Sequence, residues 1–277
     1  LVVHQIGHPA DMPAVLAIAK ARGIPVIEDA ACALGSEIRI GEDWERIGRP
    51  HGLLACFSFH PRKLITTGDG GMITTADPAL AERLRLLRQH AMVMSTSQDP
   101  KHVPVDTFQE PAFNFRMTDL QAAVGRPQLA RLSEILEKRR SLAARYTEAL
   151  AQNPWLEPPT EQPWVRSNWQ SYAVRLRPAC KKSQTDIMRA LQDDGISCRR
   201  GINNAHTQPA YRRIPWTCGP QPCDTADHEL GWCRRLENSQ HARERTILLP
   251  LFHGMTTAEQ DHVIACLDRL PRAQTTA

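Results

Sequence analysis

No apolar run in the 277 residues approaches the roughly 18 needed to cross a bilayer as a helix, so a helical membrane protein is excluded. No block of five or more basic residues occurs, and 34 Lys+Arg against 30 Asp+Glu leave a formal charge of only +4. Charge therefore gives no reason to expect a nucleic-acid partner. The eight cysteines include no pair with two or three residues between them, the tight spacing common in structural zinc sites. Cys218, Cys223, His228 and Cys233 recur every five residues, a spacing that fits a loop better than a metal site. No internal repeat is visible. The opening residues do not read as a secretory leader, so reduced thiols and a cytoplasmic location are expected.

What remains is an ordinary globular composition, 42% hydrophobic and 23% charged, long enough for one large or two modest domains. The first residue is Leu1, within an apolar Leu-Val-Val run. The expectation is that a natural polypeptide carries further residues upstream.

Leu1–His4 is expected as a strand. Asp11–Arg22 has helical spacing at Met12, Val15, Leu16 and Ile18, with Gly23 as its stop. Ile24–Ile27 is the next strand and ends in Glu28-Asp29. This is a βαβ unit, and so a parallel sheet with helix cover. A hairpin is expected over Glu37–Gly48 around Gly41, then strands at Leu53–Phe59 and Gly71–Thr74 and a helix at Pro78–His90. Pro100–Pro111 reads as irregular loop. A long helical region runs from Thr118 to about Leu150, with a break at Gly125-Arg126-Pro127. Pro and Trp then cluster from Pro154 to Trp164, the punctuation of a domain boundary. Trp155, Trp164 and Trp169 are read as packing there. Beyond it come strands at Ser171–Leu176, Ser197–Arg199 and Thr246–Leu249, with helices at Gln184–Gly195 and Thr257–Leu270.

Two residues carry the chemical reading. Asp29 falls at the carboxyl end of a parallel strand, where open α/β sheets bind ligands, although from position alone a turn aspartate is the simpler reading. Lys63 follows the strand from Leu53 within Ser58-Phe59-His60-Pro61-Arg62-Lys63, on the same sheet edge, and Gly68-Asp69-Gly70-Gly71 gives a close-approach turn just after it. A lysine and an aspartate converging there match what pyridoxal phosphate (PLP) chemistry needs. The amine binds the aldehyde, and the carboxylate keeps the pyridine nitrogen protonated. His60 and Asp119 are explained by loop position and by the first turn of a helix.

These segments resemble the sugar aminotransferases of the DegT/DnrJ/EryC1/StrS family. The blocks are Ile27–Ala31, Cys56–Lys63, Thr67–Met72, Phe113–Thr118, Asn168–Tyr172 and Leu249–Phe252, in the family's order over essentially the whole chain. The resemblance implies an α/β, aspartate-aminotransferase-like fold (PLP fold type I). Residues 1–133 would be the C-terminal part of the large PLP-binding domain, with a mostly parallel sheet. Residues 134–277 would be the smaller C-terminal α/β domain, entered through a long helix. By the same resemblance Lys63 matches the Schiff-base lysine and Asp29 the partner of the ring nitrogen. Ser58 matches a hydroxyl on the cofactor phosphate, and Asn114 an amide reaching the neighbouring subunit's cofactor in a homodimer with shared sites. Cys32 stands where the family commonly has Gln or His near the cofactor, and a thiol is a poorer hydrogen-bond partner. The family's N-terminal phosphate-binding turn and stacking ring have no counterpart in these residues. With about four of about seven sheet strands present, the missing part is expected to be on the order of 100 residues.

The expected activity is transfer of an amino group, with glutamate as donor and 2-oxoglutarate as its product, to a nucleotide-linked keto sugar in amino-sugar or cell-surface polysaccharide biosynthesis. A PLP-dependent sugar dehydratase is the close alternative, but those members have a histidine where Lys63 stands. The remaining alternative is a catalytically inactive homologue acting as a non-enzymatic subunit.

Overall fold

The computed structural model describes residues 1–95, 101, 103–212, 214, 217–218, 221–222, 226–227 and 232–270. Those residues form two compact units, 1–140 with 161–170 and 141–160 with 171–277.

The first unit begins with β1 (Val2–Val3) and α1 (Met12–Ala21). Asp11 caps α1 by accepting a hydrogen bond from Ala14 N at 3.1 Å, and Pro13 sits in the first turn, where its missing N–H costs nothing. Met12, Val15, Leu16 and Ala19 form its buried stripe. They pack with Val26, Ala30, Ala33, Ile38, Ile47 and Ala55. Ile18 falls off that stripe and is exposed. Next comes β2 (Ile27–Asp29), three residues later than the sequence pattern suggests. The reason is local: the N–H of Ile24 closes the end of α1 on Ala19 O, and Pro25 has no N–H to give a ladder.

β3 (Glu37–Ile40) and β4 (Asp43–Arg46) form the expected hairpin, turning at Gly41 with φ 62°. β5 (Leu54–Ser58) then pairs in parallel with β2, and β6 (Gly71–Thr74) pairs antiparallel with β5. The sheet order is β1-β2-β5-β6, so three strands are parallel and the last reverses. No helix intervenes between β5 and β6, and without a crossover the chain can only turn back. Gly71 is required at that reversal, because a Cβ there would lie 2.7 Å from Phe57 O.

α2 (Pro78–Leu87) is capped by Asp77. The stretch expected as loop contains β8 (Asp106–Phe108), which pairs antiparallel with β7 (Met92–Met94). Thr118 opens α3 (Asp119–Ala130) with a capping box: its hydroxyl accepts from Gln121 N, and Gln121 Oε1 accepts from Thr118 N. The helical break falls at Arg131 and not at Pro127, which lies inside α3. α4 (Leu132–Leu150) starts in the first unit and ends in the second. β9 (Leu156–Glu157) belongs to the second unit, whereas β10 (Val165–Arg166) returns to the first and pairs with β3.

In the second unit β11 (Tyr172–Leu176) and α5 (Gln184–Asp193) are followed by β12 (Arg199–Arg200) and the four-residue α6 (Pro209–Arg212). Two short ladders pair β13 (Thr217–Cys218) with β14 (Gln221–Pro222) and β15 (Ala226–Asp227) with β16 (Trp232–Cys233). α7 (Glu237–Arg245), β17 (Thr246–Leu249) and α8 (Thr257–Asp268) complete it. Its sheet, β12-β17-β11-β9, is antiparallel throughout. Tyr146 and Tyr172 pack at its centre with rings 5.1 Å apart, and Tyr146 OH donates to Pro250 O. α7 has no apolar stripe to announce it: its sequence is polar and charged.

A carboxylate lies buried in the first unit. Glu28, fully enclosed on β2, accepts from His4 Nε2 at 3.1 Å, from His51 N at 2.8 Å and from Gly52 N at 2.6 Å. Ala10 N donates to His4 Nδ1, which leaves Nε2 to carry the proton given to Glu28. His51 stands 3.8 Å from Glu28 through Nδ1 and bonds Glu45 through Nε2 at 3.0 Å. Burial would raise the Glu28 carboxyl, but the donors from His4, His51 and Gly52 override it and hold the group at about 2. The Glu28 carboxylate raises His51, burial works against it, and Glu45 adds to the rise.

These shifts fix the sign of the pH dependence. Glu28 stabilises the fold above its ordinary value of 4.5, and that contribution is lost as pH falls toward about 2. His51 stabilises fully below 6.5, and its contribution is lost as pH rises through the raised value. Thermal unfolding followed against pH should therefore peak between those limits. Glu28→Gln should cost about 3 kcal/mol near pH 6 and flatten both flanks. An unchanged profile in that variant would remove Glu28 as the anchor.

Candidate active site

The parallel register Val3↔Asp29↔Cys56 puts Asp29 at the carboxyl end of β2, flanked by β1 and β5. Its backbone carbonyl accepts from His4 N, and its Oδ1 accepts from Ala31 N at 3.0 Å. The side chain thus builds a turn of its own while keeping a carboxylate at the strand end. Burial, and after it the Asp29 charge, raises the Cys56 thiol.

Beyond β5 the chain folds tightly. Ser58 Oγ accepts from His60 N at 3.3 Å, His60 Nδ1 accepts from Arg62 N, and Lys63 N donates to His60 O. His60 is therefore a turn builder. Leu64 and Ile65, almost fully buried, pack on Leu132, Ile135 and Leu136 of α4, which anchors the loop on its far side. Between these supports Lys63 extends Nζ to Cys32 Sγ at 3.1 Å. Its amine thus meets a thiol, a weak acceptor, on the loop that follows Asp29.

The structure thus brings Lys63 and Cys32 into contact, with Asp29 three residues before Cys32 and Ser58 five before Lys63. It does not bring Asn114 to them. Asn114 is exposed, and its backbone bridges Gln89, while Phe115 N donates to Arg88 O. Downstream, Thr67 Oγ1 and Gln121 Nε2 both donate to Asp69 O, and Phe59 N donates to Gly70 O, which ties the glycine turn to β5 and α3.

Three residues here escaped the sequence reading. Asn168 Nδ2 donates to Cys32 O and Leu34 O; Gln170 bonds both neighbours of Lys63; and buried Arg139 donates to the carbonyls of Trp169 and Gln170. Asn168 and Gln170 lie in a block already noted for its resemblance, which was the available signal. Arg139 lies in a run of charged helix residues and gave none. Among the described residues no three or more His, Cys, Asp and Glu side chains gather as a metal site, and Cys223 and His228 lie outside those residues.

The fold places a carboxylate at the carboxyl end of a parallel strand and a lysine on the loop beyond the neighbouring strand, in an open α/β sheet followed by a second unit, the layout of an α/β protein with a ligand crevice at its strand ends. The chain belongs to the DegT/DnrJ/EryC1/StrS aminotransferase family, whose family model matches residues 1–268. Among solved structures it is similar to DesV of S. venezuelae, solved in complex with a ketimine intermediate. The identity is 30% and the TM-score 0.78, covering 97% of this chain and 64% of that one. It is also similar to the aminotransferase TlmJ of Streptoalloteichus hindustanus, at 26% identity and TM-score 0.77, covering 96% and 64%. A Streptococcus pneumoniae chain solved in PLP form, at 23% identity and TM-score 0.76 over 98% and 69%, shares the fold. The chain therefore spans about 64% of the length of DesV and TlmJ.

The proximity of Asp29 to Cys56 can be tested directly. Asp29→Asn removes one of the two causes that raise the Cys56 thiol, so alkylation of Cys56 should begin at lower pH than in the unaltered chain. Peptide mass spectrometry over a pH series reads this. An unshifted Cys56 profile would separate the carboxylate from β5.

Proposed function

We propose that the full-length protein is a PLP-dependent aminotransferase that places an amino group on a keto sugar. The observation that carries this reading is the Lys63 amine bonded to the Cys32 thiol, on the loop that follows the strand-end carboxylate of Asp29. The residues present fit the cofactor. An amine bonded to a thiol suits an aldehyde, a strand-end carboxylate suits a pyridine nitrogen, and Ser58 Oγ, which accepts from His60 N, keeps its own O–H to donate to phosphate.

Bound PLP supplies an aldehyde that an amine can enter and a protonated ring that draws electrons from the substrate carbon. Lys63 Nζ would be the amine that holds the aldehyde carbon, and the same nitrogen, when free, would hold and move the proton at the reacting carbon. Asp29 would hold the proton on the ring nitrogen with its carboxylate. Cys32 Sγ accepts a hydrogen bond from Lys63 Nζ and so would orient the free amine.

The finer parts of the reading are a nucleotide-linked sugar as acceptor, glutamate as donor with 2-oxoglutarate as its product, a cytoplasmic location, and a homodimer. For the dimer, Asn114 sits between Phe113 and Phe115, whose rings stack 5.1 Å apart and remain 65% and 71% exposed. Apolar rings left open in this way mark a surface that a partner covers. Asn114 would then serve the partner's site. A lysine, not a histidine, at position 63 favours transamination over dehydration.

Two experiments test this. Lys63→Ala in the full-length protein should lower transamination by roughly a thousandfold or more, measured as 2-oxoglutarate formed from glutamate. Retained turnover would overturn the assignment. Mixing Asn114→Ala with Lys63→Ala chains should restore activity, because one site of each heterodimer keeps both residues. Verified heterodimers with no activity would place Asn114 outside the site.

A further inference from the structure

Lys63 and Cys32 lie on separate loops, and neither loop has regular secondary structure to hold it. One three-residue segment grips both. Asn168, fully buried, donates from Nδ2 to Cys32 O at 2.8 Å and Leu34 O at 2.9 Å, and its own N–H donates to Ser36 Oγ. Asn168 Oδ1 then accepts from Gln170 N at 2.8 Å. The Gln170 carboxamide spans Lys63: Nε2 donates to Arg62 O at 2.7 Å, and Oε1 accepts from Leu64 N at 3.1 Å. Between them Trp169 adopts φ 51°, a left-handed conformation unusual for a bulky side chain. Arg139, 5% exposed, secures that backbone by donating from Nε and Nη2 to Trp169 O and from Nη2 to Gln170 O.

We infer that Gln170 is a positioning residue for Lys63: its carboxamide fixes the peptide units on both sides of the lysine and so sets where the amine reaches relative to Cys32 and Asp29. Only a carboxamide does both jobs, since a carboxylate cannot donate to Arg62 O and an apolar side chain can do neither. A lysine has a flexible four-carbon stem, so its reach is set largely by where its backbone is pinned. The inference rests on Lys63 being the amine that binds the cofactor.

The test uses the full-length protein with Gln170→Met and Gln170→Glu, both checked for cooperative unfolding above the assay temperature. The first readout is the rate at which PLP becomes borohydride-fixed to Lys63, followed by peptide mass spectrometry. The second needs no cofactor: trace acetylation of Lys63 relative to exposed Lys20 and Lys138.

Gln170→Met should slow attachment at Lys63 about ten- to a hundredfold, as a misplacement on the order of 1 Å does. Its acetylation should rise toward that of Lys20 and Lys138. These opposite movements are not produced by general loosening, which raises every lysine together. Gln170→Glu should be slow at neutral pH and approach the unaltered protein, compared at the same pH, as the carboxyl protonates near pH 4–5 and can again donate to Arg62 O. If both variants attach PLP at the normal rate with unchanged relative acetylation, Gln170 does not position Lys63. If Lys63→Ala still acquires PLP at the normal rate, the lysine reading itself fails, and the acetylation ratio still decides whether Gln170 holds the loop.

Discussion

The parallel pairing of β2 with β5 governs the rest of the site. Its register sets Asp29 against Cys56, so the carboxylate ends one strand while the neighbouring strand runs on two residues to Ser58 and five more to Lys63. A slip of one residue would turn Asp29 to the other face of the sheet and leave the lysine without it. The register is held from within by Glu28, the neighbour of Asp29, which is tied to the backbone at His51 and Gly52 just ahead of β5. A carboxylate that is costly to bury thus locks the two strands together, provided its donors stay in place.

Around that pairing the structure relies on side chain to backbone bonds more than on regular elements. The loops at Cys32 and Lys63 are fixed by Asn168, Gln170 and Arg139. The glycine turn is fixed by Thr67 and Gln121. Irregular backbone there lets the Lys63 amine stand off the strand end, as the proposed function requires. The Lys63–Cys32 contact leaves the amine weakly engaged, whereas a carboxylate in Cys32's place would hold it in an ion pair.

Much of this was legible in the chain. The 3.6-residue stripe of α1, the Thr118 cap, the Gly41 hairpin and the apolar strand before Ser58 are local signals, and each appears where local chemistry puts it. The errors have physical causes. β2 starts late because Pro25 and the end of α1 occupy its first residues. β8 lies in a polar stretch whose partner, β7, is distant in sequence, and α7 lacks an apolar stripe. Of the site, Lys63 and Asp29 could be named from residue type and strand position. The clamp could not, since Gln170 reaches Lys63 across more than a hundred residues, and the return of 161–170 to the first unit is invisible in a linear pattern.

The central claim is that Lys63 is the amine the site presents to its cofactor. The most direct measurement is peptide mapping of the full-length protein after saturation with PLP and reduction with borohydride. The account predicts the pyridoxyl mass on Lys63 at about one per chain. Stable attachment at Lys20, Lys138 or another lysine, with Lys63 unmodified, would contradict it.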